Sequence, residues 1–308
     1  MKKVLAIVGP TAVGKTALSI QLAHQFNGEI ISGDSMQVYR GLDIGTAKVT
    51  AEEMDGITHH LIDIRDIDER FSVADFVSEA IKAIDLITSS GKLPIIVGGT
   101  GFYLQALLDG LELGGDQYQN ADLRKQLREQ ADEKGNQALH DRLAAVDPQA
   151  AAEIPVNNVR RVIRALEVYI KTGRRFSDQK NDGRSFDAFL IGLTTDRALL
   201  YQRINQRVDM MMAAGLLEEA NYLYAHHGTD YQAGKGIGYH EFYPYFKGDI
   251  TLEEAVDLVK KDSRHYAKRQ LTWFRNKTRP NWYNLVEHPE TITQIEADVR
   301  KWLNHQEM

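Results

Sequence analysis

The stretch VLAIVGPTAVGKTALSIQLA, residues 4–23, decides the fold. Its first five residues are apolar, which predicts a buried β-strand, and GPTAVGKT fits the phosphate-loop pattern G-x-x-x-x-G-K-[ST]. Leu18, Leu22 and Phe26 follow at helical spacing. Backbone N–H groups, the Lys15 charge and the end of the helix form an anion site in such loops, and the Thr16 hydroxyl can hold Mg²⁺. The predicted phosphate-binding residues are Gly9, Pro10, Thr11, Ala12, Val13, Gly14, Lys15 and Thr16.

Three further apolar runs predict strands that alternate with helices. They are EIIS (29–32), LPIIVGGTG (93–101) and FLIGLTTD (189–196). A helix is expected between the first two, opening near a capping box at Ser72 and stopping at Gly91. Strands alternating with helices indicate βαβ units and a parallel sheet. The predicted fold class is therefore α/β, with a P-loop NTPase-like parallel sheet core flanked by helices.

The alternation stops in the middle of the chain. Residues 114–187 show polar helical patterns and no strand, and NNVRRVIRALEVYIKTG (157–173) predicts a helix that Gly173 ends. We expect residues 1–115 and 188–308 to form the catalytic core with its C-terminal helices, and residues 116–187 to form a helical insertion domain.

Composition limits the possible chemistry. The chain has 308 residues, no cysteine and a net charge of −6. The lack of cysteine excludes thiolate catalysis and Cys-ligated metals, and no apolar stretch is long enough to cross a bilayer. A chain with a net negative charge does not have a uniformly basic surface, so any RNA-binding surface should be a local basic patch. We expect a cytoplasmic monomer without a membrane partner.

The stretch GDSMQVYRGLDIGTAK (33–48) places an acid, Asp34, at the end of the second strand. Asp34 could be a metal ligand, a base or a turn former. The next strand ends in glycines and Thr100 instead of the acid that typical NTPases carry, and no Asn-Lys-x-Asp motif for reading guanine is present. Asp34 is therefore the acid best placed near the phosphate loop.

Several blocks together resemble one family, the tRNA dimethylallyltransferases, also called tRNA isopentenyltransferases. The blocks are GPTAVGKT, ISGDSMQVYRGLDIGTAK, HHLIDI, VGGTGFYLQALLDG, RRVIRALEVY, IGYHE and YAKRQLTWFR. They follow the family order from residue 4 to about 275. The chain departs at residues 155–158, where Pro-Val-Asn-Asn replaces the family's His-Pro-Asn-Asp.

The resemblance implies transfer of a five-carbon prenyl group from dimethylallyl diphosphate to N6 of adenosine 37 in tRNA, with release of diphosphate. Asp34 would then be the general base. Lys15 and Arg207 would bind the diphosphate, Thr16 would hold Mg²⁺ and Thr100 would lie at the substrate channel. Apart from the resemblance, Arg207 could be part of a solvated helix face.

The resemblance also implies a tRNA-binding set. The adenine pocket would be lined by Asp34, Ser35, Met36, Gln37 and Thr100. Further contacts would come from Arg160 and Arg161 in the insertion, from Lys235, Gly238 and Tyr239 in GKGIGYHE (234–241), and from Arg264, Lys268, Arg269 and Gln270 in a basic helix. Between residues 260 and 279 there are eight basic residues and one acid, Asp262, a pattern typical of RNA-backbone binding or of a solvated helix face.

Two other functions remain open at the level of sequence. One is a small-molecule kinase, which also opens with a phosphate loop on a parallel sheet. It would need ATP and leaves the DSMQVY and YAKRQ blocks without a role. The other is a non-catalytic RNA-binding P-loop module, for which Asp34 beside the phosphate loop has no purpose.

Overall fold

The computed structural model describes residues 1–111, 121–178 and 186–305. In these residues the strands are β1 (Lys2–Val8), β2 (Gly28–Ser32), β3 (His59–His60), β4 (Leu93–Gly98), β5 (Phe186–Leu193) and β6 (Asn281–Tyr283). They form one sheet in the order β3-β2-β4-β1-β5-β6, and every pairing is parallel. The predicted parallel sheet is confirmed. β3 and β6 were not predicted, because two or three residues are too few to show a periodic pattern.

The helices of the described residues run in chain order. They are α1 (Lys15–Gln25), α2 (Val73–Ser89), α3 (Gly101–Leu108), α4 (Ala121–Val146), α5 (Pro148–Glu153), α6 (Val159–Thr172), α7 (Arg197–Ala213), α8 (Leu216–Ala225), α9 (Tyr243–Phe246), α10 (Leu252–Lys277) and α11 (Thr291–Asn304). The capping box expected near the start of α2 is present, since Ser72 Oγ accepts from Asp75 N and Asp75 Oδ2 accepts from Ser72 N. Among the described residues, no helix combines the length and the apolar character that a membrane span requires.

The chain divides into two compact units. A sheet unit contains Met1–Leu108 and Ser185–Met308, and an insertion unit contains Asp109–Arg184. The expected first boundary, between residues 115 and 116, lies outside the described residues. The expected second boundary, between residues 187 and 188, falls inside β5, because that strand already begins at Phe186.

The core of the sheet unit forms around β1. Its residues from Val4 to Val8 are fully buried, as expected for a parallel strand that is covered on both faces. Leu5 and Ile7 belong to one apolar cluster with Ile95 of β4 and Ile191 of β5. This packing fixes the carboxyl ends of the central strands, where the loops that carry the candidate site begin.

The insertion unit has a core of its own. Leu127, Leu139 and Leu143 of α4 cluster with Val162 and Leu166 of α6. The α4 helix is kinked at Gly135, whose φ of +85° favours glycine. The α6 helix begins after Asn158 and ends at Gly173, whose φ is +69°, so the glycine stop predicted from the sequence is confirmed.

Candidate active site

The phosphate loop joins β1 to α1 in a strained conformation that needs its glycines. Gly9 has a φ of +147°, and a Cβ at this position would lie 2.7 Å from Leu193 O. Gly14 has a φ of +100° and immediately precedes α1. Lys15 Nζ donates to Gly9 O (3.1 Å) and Pro10 O (2.7 Å), so the lysine side chain packs back against the phosphate loop. Thr16, in the first turn of α1, is exposed.

A cavity of about 970 Å³ lies at the carboxyl ends of the central strands. It is within the size range of small-molecule sites, and this edge of a parallel sheet is where α/β proteins bind ligands. The phosphate loop from Thr11 to Thr16 forms one wall, and Asp34 and Gln37 form another. Arg207 of α7 and Tyr266 of α10 also line it. The structure therefore brings four of the five predicted catalytic residues, Lys15, Thr16, Asp34 and Arg207, to one cavity.

Asp34 reaches the cavity because β2 and β4 approach each other closely. Gly33 N donates to Val97 O (2.8 Å), and a Cβ at Gly98 would lie 2.4 Å from Gly33 O. Asp34 Oδ1 accepts from Met36 N (2.8 Å) and so holds the turn after β2. The turn-forming role left open by the sequence is therefore present, and the same carboxylate also lines the cavity.

Burial and neighbouring charges shift the pKa values of Asp34 and Lys15 in the cavity. Burial raises the pKa of Asp34, and the Met36 N–H and the Lys15 charge oppose that rise. Burial, helped by the charge of Arg207, lowers the pKa of Lys15 to about 7, against the opposing effect of Asp34. An acid with a raised pKa beside a lysine with a lowered pKa, both in a cleft, is typical of functional sites.

Thr100 follows β4 and contacts the turn that carries Asp34. Its Oγ1 accepts from Ser35 N (3.2 Å) and lies 3.5 Å from Ser35 Oγ. Gln37 also supports this wall, since its Nε2 donates to Thr46 O and Ala47 O, each at 3.3 Å. Ser35, Met36 and Gln37 are half-buried.

Gln270, one of the predicted tRNA-binding residues, lies inside the protein. Its Oε1 accepts from Thr11 N (2.9 Å), and its Nε2 donates to Gly99 O (3.1 Å). The side chain is 5% exposed, and a Cβ at Gly99 would lie 1.9 Å from its Nε2. Gln270 therefore ties α10 to the phosphate loop and to the end of β4, and both groups of its amide are already hydrogen-bonded within the protein.

Tyr239, another predicted tRNA-binding residue, contacts a residue whose role the sequence did not reveal. Tyr239 is fully buried, and its hydroxyl donates to Glu219 Oε1 (2.7 Å). Glu219 also accepts from three successive backbone N–H groups, those of Asp43, Ile44 and Gly45, at 2.8–2.9 Å. Glu219 thus fixes the loop of residues 43–50 that lines the cavity. Its sequence context, two acids in the first turn of a helix, gives no sign of this role.

The remaining tRNA candidates differ in exposure. Lys235, Lys268 and Arg269 are exposed in the sheet unit, and Arg269 lies over the ring of Tyr266, 5.6 Å from its centroid. Arg264 is half-buried, and its Nη1 donates to Asn205 Oδ1 (2.6 Å). Gly238 is buried, with a φ of +97°. In the insertion unit, Arg160 and Arg161 are exposed at the start of α6.

Comparison with known proteins gives consistent matches along nearly the whole chain. The tRNA dimethylallyltransferases of Limosilactobacillus reuteri and Enterococcus faecalis are 60% and 56% identical to it, covering 98% and 100% of this chain and 99% of each relative.

Solved structures are also similar to this chain. The tRNA isopentenylpyrophosphate transferase of Bacillus halodurans has a TM-score of 0.75 and 50% identity, and covers 98% of this chain and 97% of its own. A eukaryotic dimethylallyltransferase described as acting on tRNA has a TM-score of 0.83 and 33% identity, with 98% of this chain and 78% of the other covered. The family model described as IPP transferase matches residues 37–277, and the chain belongs to this family of transferases.

Proposed function

We propose that this protein transfers the dimethylallyl group of dimethylallyl diphosphate to N6 of adenosine 37 in tRNA and releases diphosphate. The observation that carries the proposal is that Asp34 shares one cavity with the phosphate loop and Arg207. An acid able to accept a proton thus faces a site able to bind a leaving group. The relatives named tRNA dimethylallyltransferase support this function over the kinase alternative.

The phosphate loop would bind the diphosphate through its backbone N–H groups and the positive end of α1. Lys15 would exchange its two bonds to loop carbonyls for phosphate oxygens, and Arg207 would add a second positive charge. As the bond between C1 and the diphosphate oxygen breaks, negative charge grows on the diphosphate. Donors that are already fixed in place stabilise that charge most strongly where it develops.

The donor set also fits Mg²⁺. Thr16 offers an exposed hydroxyl on the cavity wall, and Mg²⁺ in phosphate sites is held by few protein oxygens together with phosphate oxygens. Thr16 would hold the ion. When bound, Mg²⁺ would neutralise charge on the diphosphate.

Asp34 would act on the acceptor. The exocyclic amine of adenine is a weak nucleophile, because its lone pair is delocalised into the ring. The N6 nitrogen forms the new bond to C1, the C1–O bond breaks with its electron pair going to diphosphate, and the N6 proton passes to Asp34. A carboxyl whose pKa is raised by burial is a stronger base than an ordinary aspartate, which suits this role.

The tRNA would bind through local basic groups. Lys235, Lys268 and Arg269 in the sheet unit and Arg160 and Arg161 in the insertion unit are exposed and free to approach phosphates. The adenine must leave its stack to reach the cavity, which costs a few kcal/mol in a duplex and less in a single-stranded loop. We expect the protein to be cytoplasmic and to act as a monomer.

One incubation tests the proposal. The protein is mixed with labelled dimethylallyl diphosphate and unmodified tRNA that carries adenosines 36 and 37, and the same tRNA with guanosine at 37 is the control. Label should appear only in the first RNA. Consumption of ATP with a small acceptor would instead identify a kinase, and binding of RNA without label transfer would indicate a non-catalytic module.

A further inference from the structure

A second group of ligating side chains lies outside the cavity. His240 and Glu241 lie in the short 3-10 turn that follows the loop of residues 234–239, and Asp262 lies on α10. A ring nitrogen of His240, a carboxylate oxygen of Glu241 and a carboxylate oxygen of Asp262 all lie within 4.8 Å of one another. None of the three lines the cavity that holds Asp34.

Glu241 is the unusual member of this group. The residue is 3% exposed, and its Oε2 accepts from Gly238 N (2.9 Å). Its Oε1 is buried and finds no hydrogen-bond donor in the part of the chain that the structure describes. A buried carboxylate oxygen without a partner is costly, so the site favours a proton or a cation beside it.

The ring of His240 is anchored through Nδ1. Its Nδ1 lies 2.9 Å from Gly236 O and 3.4 Å from Glu241 Oε2. A ring that donates Nδ1–H to a backbone carbonyl keeps a lone pair on Nε2, and histidines that bind metals are commonly oriented in this way. The side chains of His240 and Asp262 are 42% and 37% exposed, so an ion can enter from solvent.

We propose that His240, Glu241 and Asp262 bind one divalent transition-metal ion. One imidazole and two carboxylates form a donor set that Zn²⁺ accepts, with water completing the coordination, whereas Mg²⁺ prefers oxygen ligands alone. This ion would be separate from the Mg²⁺ proposed at Thr16.

The ion would join two elements that carry predicted tRNA contacts. Glu241 holds the N–H of Gly238 in the loop that also contains Lys235, while Asp262 precedes Lys268 and Arg269 on the same helix. A metal bridge would fix the loop against α10 and reduce the ordering needed when RNA binds. This consequence depends on the proposed function, but metal binding itself does not.

The binding test uses the full chain, stripped with a chelator, and the metal alone. Zn²⁺ titrated in a calorimeter should bind with one equivalent, and Co²⁺ should give visible absorption bands from a coordinated ion. Asp262→Asn and His240→Ala should each weaken binding by about 10- to 100-fold or abolish it, while Asp257→Asn, an exposed acid on the same helix, serves as the matched control. Both test positions are partly exposed, so thermal melts should show folded variants.

Absence of saturable Zn²⁺ binding would overturn the site, as would equal binding by wild type and Asp262→Asn. The bridging role has its own test, in which tRNA affinity is measured with and without Zn²⁺. Zn²⁺ should tighten tRNA binding by the wild type and leave Asp262→Asn unchanged. A metal site that forms without any change in tRNA affinity would rule out the bridge and would leave both the site and the transferase function standing.

Discussion

Asp34 of the sheet unit and Asp147 of the insertion unit are both carboxylates surrounded by protein, yet their proton affinities shift in opposite directions. Burial acts on both towards the protonated form. Asp147 accepts from Ala150 N (3.0 Å), Ser177 N (2.9 Å) and Ser177 Oγ (2.6 Å), and these bonds outweigh burial, so its pKa is lowered. Asp34 has fewer donors, and its pKa is raised. A carboxylate that accepts several hydrogen bonds stabilises the fold. A carboxylate that accepts fewer keeps a higher pKa and can take up a proton in a reaction.

Replacing Asp34 by Asn is the strongest test of this contrast. Turnover should fall by about 10² to 10⁴, because the general base is lost while the acceptor oxygen for Met36 N is kept. The melting temperature should stay the same or rise, because a raised pKa means that the ionised side chain opposes folding at neutral pH. Single-turnover label transfer and thermal melts measure the two effects.

An Asp34→Asn enzyme as fast as wild type would refute the base assignment. The raised pKa adds a second check on wild type. Label transfer at subsaturating tRNA should decline as pH falls through a value above 3.8, the ordinary pKa of this side chain, and Asp34→Asn should lack that decline.

Replacing Asp147 by Ala should give the opposite result. The variant loses the acceptor for Ala150 N and for Ser177, so the insertion unit should lose about 2 to 4 kcal/mol of stability. The lowered pKa means that this stability is present above the ordinary pKa and is lost as pH falls through the folded-state value. Denaturant unfolding followed by circular dichroism at pH 7 and at pH 3 measures both points.

The matched control is Asp178→Ala in the same 3-10 turn as Ser177, and it should leave the unfolding curve nearly unchanged. Equal stability of Asp147→Ala and wild type would mean that the three hydrogen bonds contribute nothing net. In that case the contrast with Asp34 would not distinguish a folding carboxylate from a catalytic one.

Glu219 is an intermediate case. Like Asp147 it accepts several hydrogen bonds, but the loop that it holds lines the cavity that contains Asp34. Glu219→Gln keeps the shape and one acceptor oxygen, but its amide N–H₂ cannot accept from the backbone N–H groups of residues 43–45. We expect about a 10-fold loss in kcat/KM, because a displaced cavity wall would position the substrates less accurately. Steady-state kinetics with each substrate varied measure it.

Glu218→Gln, one residue earlier and exposed, is the control and should behave like wild type. Tyr239→Phe should reproduce part of the Glu219→Gln loss, because it removes one of the same hydrogen bonds. If Glu219→Gln lowered only the melting temperature and left kcat and KM intact, Glu219 would be a purely structural residue.

The sequence predicted the parts of the molecule that local patterns encode. The strand and helix around GPTAVGKT, the capping box at Ser72 and the stop at Gly173 each depend on a few neighbouring residues, and each appears in the structure. The roles of Gln270, Tyr239 and Glu219 could not be predicted, because each depends on a partner between 20 and 259 positions away. These side chains stabilise the interior only after the fold brings them to those partners.

The two units can also be compared as RNA-binding surfaces. Lys268→Ala with Arg269→Ala in the sheet unit should weaken tRNA binding about 10-fold and reduce the slope of log affinity against log salt by about 1 to 2, as expected for two lost phosphate contacts. Arg160→Ala with Arg161→Ala makes the same test in the insertion unit. Affinities measured between 50 and 300 mM salt compare them, and an unchanged slope in either pair would remove that surface from the RNA footprint.

The smallest expected effect concerns Lys15, whose pKa of about 7 means that it loses its charge near neutral pH in the free protein. A diphosphate binds the charged form, so affinity for dimethylallyl diphosphate should be nearly full at pH 6 and about fourfold lower at pH 7.5. Arg207 stays charged throughout this range.

The Asp34 carboxylate also faces Lys15, so the measurement is repeated in Asp34→Asn. Lys15→Arg cannot lose its proton and should show only the ionisation of the ligand itself. A wild-type profile identical to that of Lys15→Arg would mean that Lys15 keeps its charge, and that burial disturbs the acid of this cavity but not its lysine.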